Sequence, residues 1–237
     1  MNNQDTIFRE LKQRVFEANL LLHTSGVVKL TFGNVSEKWL FEDSYLVAIK
    51  PSGVAYEHMK PEDVVIVLPD GTPLSNALNP SSDTATHLVI YENLPHWLGV
   101  AHTHSPFATA WAQSSRSIPI LGTTHADYWP TNVPCTKPMP DSDIENQYER
   151  NTGLNMISHL HEKKSTHAPM VLVHGHGAFT FGKSAAESVE ASIALEEIAQ
   201  MAYYTLALNP DASPIPQRLI DKHYLRKHGT EKYYGQN

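Results

Sequence analysis

Cysteine is almost missing from this chain: Cys135 is the only one in 237 residues. No intramolecular disulfide is possible, which fits a reducing compartment. Positive charge is also scarce. Eighteen Lys and Arg stand against 25 Asp and Glu, for a formal net charge of −7, which argues against nucleic acid or an anionic membrane as partner. No apolar run approaches the roughly 20 residues that a bilayer crossing needs. The start, Met1-Asn2-Asn3-Gln4-Asp5, lacks the basic and apolar regions of a signal peptide. Glycine is rarer than proline, 12 against 16, a balance that favours fixed loops. The expectation is a soluble, cytoplasmic protein forming one domain over 1–237, because 41% hydrophobic and 18% charged residues are the values of a folded chain.

Histidine, by contrast, is plentiful, with 14 copies. Two of them flank one residue in His102-Thr103-His104, within a run from 97 to 104 that reads as a buried strand. In a strand, residues i and i+2 face the same side, so both imidazoles aim at one point. Imidazole suits divalent zinc, and a catalytic zinc needs three or four protein ligands. Further candidates are His174 and His176 in Val173-His174-Gly175-His176-Gly177, between which spacing does not choose. Asp83 in Pro80-Ser81-Ser82-Asp83-Thr84 offers an oxygen ligand, or else only favours a helix dipole.

Three polar turns suggest anion capture: Thr31-Phe32-Gly33-Asn34-Val35-Ser36, Lys50-Pro51-Ser52-Gly53 and Ser81-Ser82. Each presents backbone N–H groups with little side-chain obstruction. The segment Thr123-Thr124-His125-Ala126-Asp127-Tyr128 has neither helix nor strand periodicity and is loaded with titratable groups, a pattern that suits general acid–base work or a solvated loop.

Ile7, Leu11, Val15, Ala18 and Leu22 predict an amphipathic helix ending near Ser25-Gly26. Runs at 45–50, 63–68, 170–174 and 177–181 predict strands. Ser81 or Ser82 is expected to cap a helix reaching Asn93. Ser184 and Glu187 match a capping box that opens a long helix stopped by Asn209-Pro210. Residues 211–237 carry many charges and aromatics, and their end, Tyr233-Tyr234-Gly235-Gln236, has little to bury itself with. The expected fold is α/β, a single-domain layered fold with a central mixed, mainly antiparallel sheet flanked by helices.

Together these motifs resemble the L-ribulose-5-phosphate 4-epimerases of the class II sugar-phosphate aldolase superfamily. The matching runs are Thr-Phe-Gly-Asn-Val-Ser at 31–36, Lys-Pro-Ser-Gly-Val at 50–54, Pro-Ser-Ser-Asp-Thr-Ala-Thr-His at 80–87 and His-Thr-His-Ser at 102–105. They continue with Gly-Thr-Thr-His-Ala-Asp-Tyr at 122–128, Val-Pro-Cys-Thr at 133–136, Val-His-Gly-His-Gly at 173–177 and the tail from Lys227 to Gln236. The resemblance implies one zinc per subunit held by Asp83, His102, His104 and His176. It implies substrate contacts from Gly33, Asn34, Ser52, Gly53, Ser81 and Ser82, and Asp127 with Tyr234 as the acid–base pair. It also implies a homotetramer with active sites between subunits, and a place in pentulose-phosphate routes such as arabinose or ascorbate catabolism. Related aldolases carry glutamate where Asp83 stands, so the shorter side chain favours epimerisation over release of two fragments. Tyr128-Trp129-Pro130 departs from the Tyr-Gly step of many relatives. A class II aldolase releasing its fragments, or a metal-dependent hydrolase, are the alternative readings.

Overall fold

The structure, a computed structural model, describes residues 3–41, 44–75, 78–230 and 232–233. The chain opens with helix α1 (Asn3–Thr24). Leu11, Val15, Ala18 and Leu22 form its buried stripe, and it ends at Gly26, whose φ of 81° closes the last turn.

Six strands make one sheet in the order β3-β2-β1-β4-β6-β5. They are β1 (Asn34–Phe41), β2 (Ser44–Ile49), β3 (Val65–Val67), β4 (Gly99–Thr103), β5 (Met170–Val173) and β6 (Gly177–Gly182). Every pairing between these strands is antiparallel. Among the described residues, a parallel element survives only as the isolated bridge Cys135↔Leu172. β4 lies between β1 and β6, and the register sets Asn34 and Phe179 on either side of His102.

Side chains alternate between the two faces of the sheet. Val47, Val65, Val100 and Phe179 pack in one core with α2 (Thr84–Asn93) and α6 (Tyr148–Glu162). Val35, Ala48, Ile66 and Ala101 pack in another with α1 and α7 (Ala185–Leu208). A third core joins Met170, Leu172 and Ala178 to α7 and to α3 (Pro106–Gln113). The remaining helices are α4 (Thr123–Ala126), α5 (Asp141–Glu145) and α8 (Gln217–His228).

Three expectations need correction. Asn34 and Ser36 open strand β1 and do not belong to a turn. Asp83, not Ser81 or Ser82, is the N-cap of α2. The reason is that Ser81 makes a turn just before the helix, its carbonyl accepting from Thr84 N at 3.1 Å and Thr84 Oγ1 at 2.6 Å. The 123–128 segment contains one helical turn, α4, fixed by buried His125, whose Nε2 meets Thr131 O at 2.9 Å. Before the chain end, α8 packs on α4.

Candidate active site

The site lies where β4 ends and α2 and α6 begin. β4 delivers His102 from the sheet. His104 follows one residue past the strand, held between Thr103 and the N-cap Ser105 of α3. The β5–β6 hairpin supplies His176 from a tight turn in which His176 N donates to Val173 O at 3.0 Å. His174 faces elsewhere, its Nδ1 2.9 Å from Ser115 Oγ. The turn geometry, with Gly175 at φ 66°, separates two histidines that a strand would have aligned.

His102, His104 and His176 each bring a ring nitrogen to within 4.8 Å of the others. His102 Nε2 and His104 Nε2 stand 3.0 Å apart. Two ligands of a small tetrahedral ion, each at about 2.0–2.1 Å, stand roughly 3.3 Å apart, so this pair is close to the spacing required. The other ring nitrogen of His102 meets Ala178 O at 3.0 Å. A carbonyl only accepts, so Nδ1 carries the proton and Nε2 offers its lone pair. Burial pushes the His102 pKa down to about 3, and it lowers those of His104 and His176. Neutral imidazoles are the form a metal ion takes. The triad is thus placed to hold a metal ion.

Asp83 lines the same cavity, yet its carboxylate caps nothing on α2. Its Oδ2 accepts from Asn34 Nδ2 at 2.6 Å. Burial acts to raise its pKa, but His102, His87, Asn34 and His176 outweigh that and hold it low, so Asp83 stays an anion beside the triad. Behind it, buried His87 meets Ser36 Oγ at 2.6 Å, and Ser36 Oγ meets Tyr91 OH at 2.8 Å.

The cavity measures about 480 Å³. Gly33, Asn34, Ser52, Gly53, Ser81 and Ser82 all line it, together with the three histidines. Two of the turns are stitched to each other: Ser52 N donates to Asn79 O at 2.9 Å and Ser81 N to Lys50 O at 3.0 Å. Tyr56 OH donates to the carbonyls of Phe32 and Gly33, both at 2.9 Å, which ties down the third. A Cβ on Gly33 would sit 2.6 Å from His102 O, so only glycine lets this turn approach β4. Lys50 also lines the cavity; its Nζ donates to Val54 O at 2.7 Å, and burial lowers its pKa to about 8.

Asp127 is not among the described residues that line this cavity. It closes α4 and is gripped from α8: Arg226 Nε and Nη2 donate to its carboxylate at 3.1 and 2.8 Å, and His223 Nδ1 lies 3.1 Å away. Burial raises its pKa, but the hydrogen bonds from Arg226 and His223 prevail and keep it below the usual range. Tyr234 falls outside the described residues.

Tyr148 and Glu149, which the sequence reading missed, also line the cavity. Tyr148 OH lies 3.0 Å from His176 Nδ1, and the two rings are 15° from parallel. Burial raises the Tyr148 pKa, so its hydroxyl keeps its proton near neutrality. The preceding Gln147 adopts φ 48°, ψ 46°, a left-handed conformation that costs a non-glycine residue about 1–2 kcal/mol. Spacing of Met156, Ile157 and Leu160 would have marked helix α6, but nothing local marks its first residue as functional.

This sheet with its histidine-lined cavity defines a class. The chain belongs to the class II aldolase and adducin N-terminal domain family, whose sequence model matches residues 13–203. It is 47% identical over 228 residues to L-ribulose-5-phosphate 4-epimerase UlaF of Salmonella paratyphi C (strain RKS4594), covering 96% of this chain and 99% of that protein, and the UlaF of Salmonella typhi matches equally. Among solved structures, the fold is similar to L-fuculose 1-phosphate aldolase from Glaciozyma antarctica PI12, with TM-score 0.74 at 15% identity over 94% of this chain and 84% of that one. It is also similar to YgbL, a putative aldolase/epimerase/decarboxylase from Klebsiella pneumoniae, with TM-score 0.69 at 19% identity over 91% of this chain and 98% of that one.

Proposed function

We propose that the protein is an L-ribulose-5-phosphate 4-epimerase that converts its substrate to D-xylulose 5-phosphate, with the whole chain acting as one catalytic domain in the cytoplasm. The observation that carries this reading is that three convergent imidazoles share one cavity of about 480 Å³ with Gly33, Asn34, Lys50, Ser52, Gly53, Ser81 and Ser82. Imidazoles beside serine hydroxyls and a lysine in one pocket suit a sugar phosphate. The near full-length identity to the epimerases supports the choice of substrate.

Carbon 4 of the substrate is not adjacent to the carbonyl, so its hydrogen is not acidic and simple deprotonation cannot invert it. Breaking the C3–C4 bond can. The C4 hydroxyl loses its proton, the C3–C4 electron pair passes to C3, and an enediolate of dihydroxyacetone forms beside glycolaldehyde phosphate. Rotation of the aldehyde and re-addition to its other face give the epimer. His102, His104 and His176, with Asp83 beside them, are the proposed holders of one zinc ion, which when bound supplies Lewis-acid stabilisation of the enediolate charge. Ser52, Gly53, Ser81 and Ser82 hold the phosphate, with the Lys50 charge behind them. Gly33 and Asn34 complete the substrate contacts. The phosphate grip keeps the aldehyde in place while it turns.

The proton must leave and return on opposite faces, so two acid–base groups are required. We assign them to Asp127 and Tyr234. Because Asp127 is held by α8 away from its own cavity, it serves a neighbouring subunit's site within a homotetramer. An exposed apolar stretch on α7, including Tyr203, Tyr204 and Leu208, supports such subunit contact. Asp127→Asn and Tyr234→Phe are each expected to cut turnover strongly with metal still bound. Parent-like turnover in either variant would remove that residue from the mechanism.

The fold likeness to L-fuculose 1-phosphate aldolase favours a second reading, an aldolase that releases its fragments. A coupled assay on L-ribulose 5-phosphate separates them. D-xylulose 5-phosphate should accumulate, activity should vanish with chelator, and zinc should restore it. Accumulation of dihydroxyacetone and glycolaldehyde phosphate would favour the aldolase, and no consumption of substrate would sink both.

A further inference from the structure

The partners on the second nitrogens of His102 and His176 differ in kind. Ala178 O, which faces His102 Nδ1, is a pure acceptor and permits one tautomer. The Tyr148 hydroxyl, which faces His176 Nδ1 at 3.0 Å, both donates and accepts. His176 therefore has two arrangements. With Tyr148 donating, Nδ1 is bare and Nε2 carries the proton, so the ring cannot bind a metal through Nε2. With Tyr148 accepting, Nδ1–H donates to the phenol oxygen and Nε2 is free to bind. In the second arrangement the phenol proton no longer points at His176.

The placement of Tyr148 is built rather than incidental. Its ring lies 15° from parallel to that of His176, with centroids 6.1 Å apart. It is the first residue of α6 and follows directly on Gln147 in its left-handed conformation. Asn151 pins that corner: its backbone N donates to Gln147 O at 2.9 Å, and its Nδ2 to Asn146 O at 2.6 Å and Asp143 O at 3.1 Å. A strained residue held just before a side chain that lines a cavity points to function at that side chain.

We infer that Tyr148 is a positioning residue that orients His176 for a metal ion by accepting from its Nδ1–H, which leaves the phenol proton free for the cavity that Tyr148 lines. The inference rests on the metal reading above and adds a residue that acts from the same subunit as the three histidines.

Tyr148→Phe removes the hydroxyl and keeps the ring, so the stack on His176 and the melting temperature should be nearly unchanged. Metal affinity, read by competition with a chromophoric chelator, should fall about 10–100-fold, the usual effect of losing such a partner. In the cobalt-substituted protein the visible absorption bands should shift, because His176 is no longer held in one orientation. With zinc at saturation, kcat should fall more than KM rises. Parent-like metal affinity together with an unshifted cobalt spectrum would overturn the inference, as would a parent protein that takes up no stoichiometric metal. Should the parent bind metal yet leave L-ribulose 5-phosphate untouched, the substrate reading fails while affinity and spectrum still decide the role of Tyr148.

Discussion

At the residue scale the site depends on how closely backbones approach. A Cβ on Gly177 would lie 2.5 Å from Thr103 O, the carbonyl between His102 and His104. Gly177→Ala must therefore push the end of β4 away from the hairpin. A loss of about 1–3 kcal/mol, typical of overpacking, should accompany loss of bound metal, checked by thermal unfolding and elemental analysis. Stoichiometric metal in a stable variant would contradict this. Lys50 makes a second prediction. Burial lowers its pKa to about 8, so it is charged at neutral pH and loses its proton as pH rises through that value. The log kcat/KM profile of the free enzyme should therefore bend downward above about pH 8. Lys50→Met should be slower at neutral pH and show no such limb; an unchanged profile would exclude Lys50 from substrate capture. The histidine pair at 102 and 104 was legible in the sequence from strand period, although β4 closes at Thr103 and His104 keeps the direction one residue beyond it. The choice of His176 over His174 was not legible from spacing, because it depends on a turn rather than a strand.

Elements were legible where a single face is apolar. α1 follows directly from periodicity, α7 from its capping box and spacing, and β5 and β6 from short apolar runs buried on both faces. β1 did not, because Glu37 and Lys38 sit buried in its middle. Their charges are met from afar: Arg14 lies 2.7 Å from Glu37, and Lys38 Nζ donates to Pro95 O at 3.1 Å. Partners more than twenty residues away leave no local signal. α3 offers a similar case, since its cap comes from another helix. Glu196 on α7 accepts from Phe107 N and Ala108 N, both at 2.9 Å. Because α3 starts just after His104, Glu196→Ala should cost roughly 1.5–3 kcal/mol, the scale of charged hydrogen bonds, and weaken metal binding. Denaturant midpoints and chelator competition measure both. A stability change under about 0.5 kcal/mol, within the usual range for surface substitutions, would show that Ser105 suffices.

At the scale of the whole molecule, the account requires more than one chain per site. Asp127, fixed to α8 by Arg226 and His223, and the histidine cavity belong to different regions of one subunit. Co-assembly of two inactive variants tests this. His104→Ala lacks a proposed metal ligand, Asp127→Asn lacks the proposed acid–base group, and a hybrid should restore one complete site wherever the two intact halves meet. Random mixing should recover roughly a quarter of native activity if the ring is symmetric. No recovery from well-formed hybrids would return Asp127 to its own cavity or remove it from catalysis. The central claim is that the reaction breaks and re-forms a carbon–carbon bond. Its most direct test is turnover of L-ribulose 5-phosphate in D2O, followed by NMR of the product. The account predicts D-xylulose 5-phosphate with ordinary hydrogen retained at both C3 and C4. Deuterium at C4 of the inverted product would mean that a proton was removed from that carbon, and would contradict it.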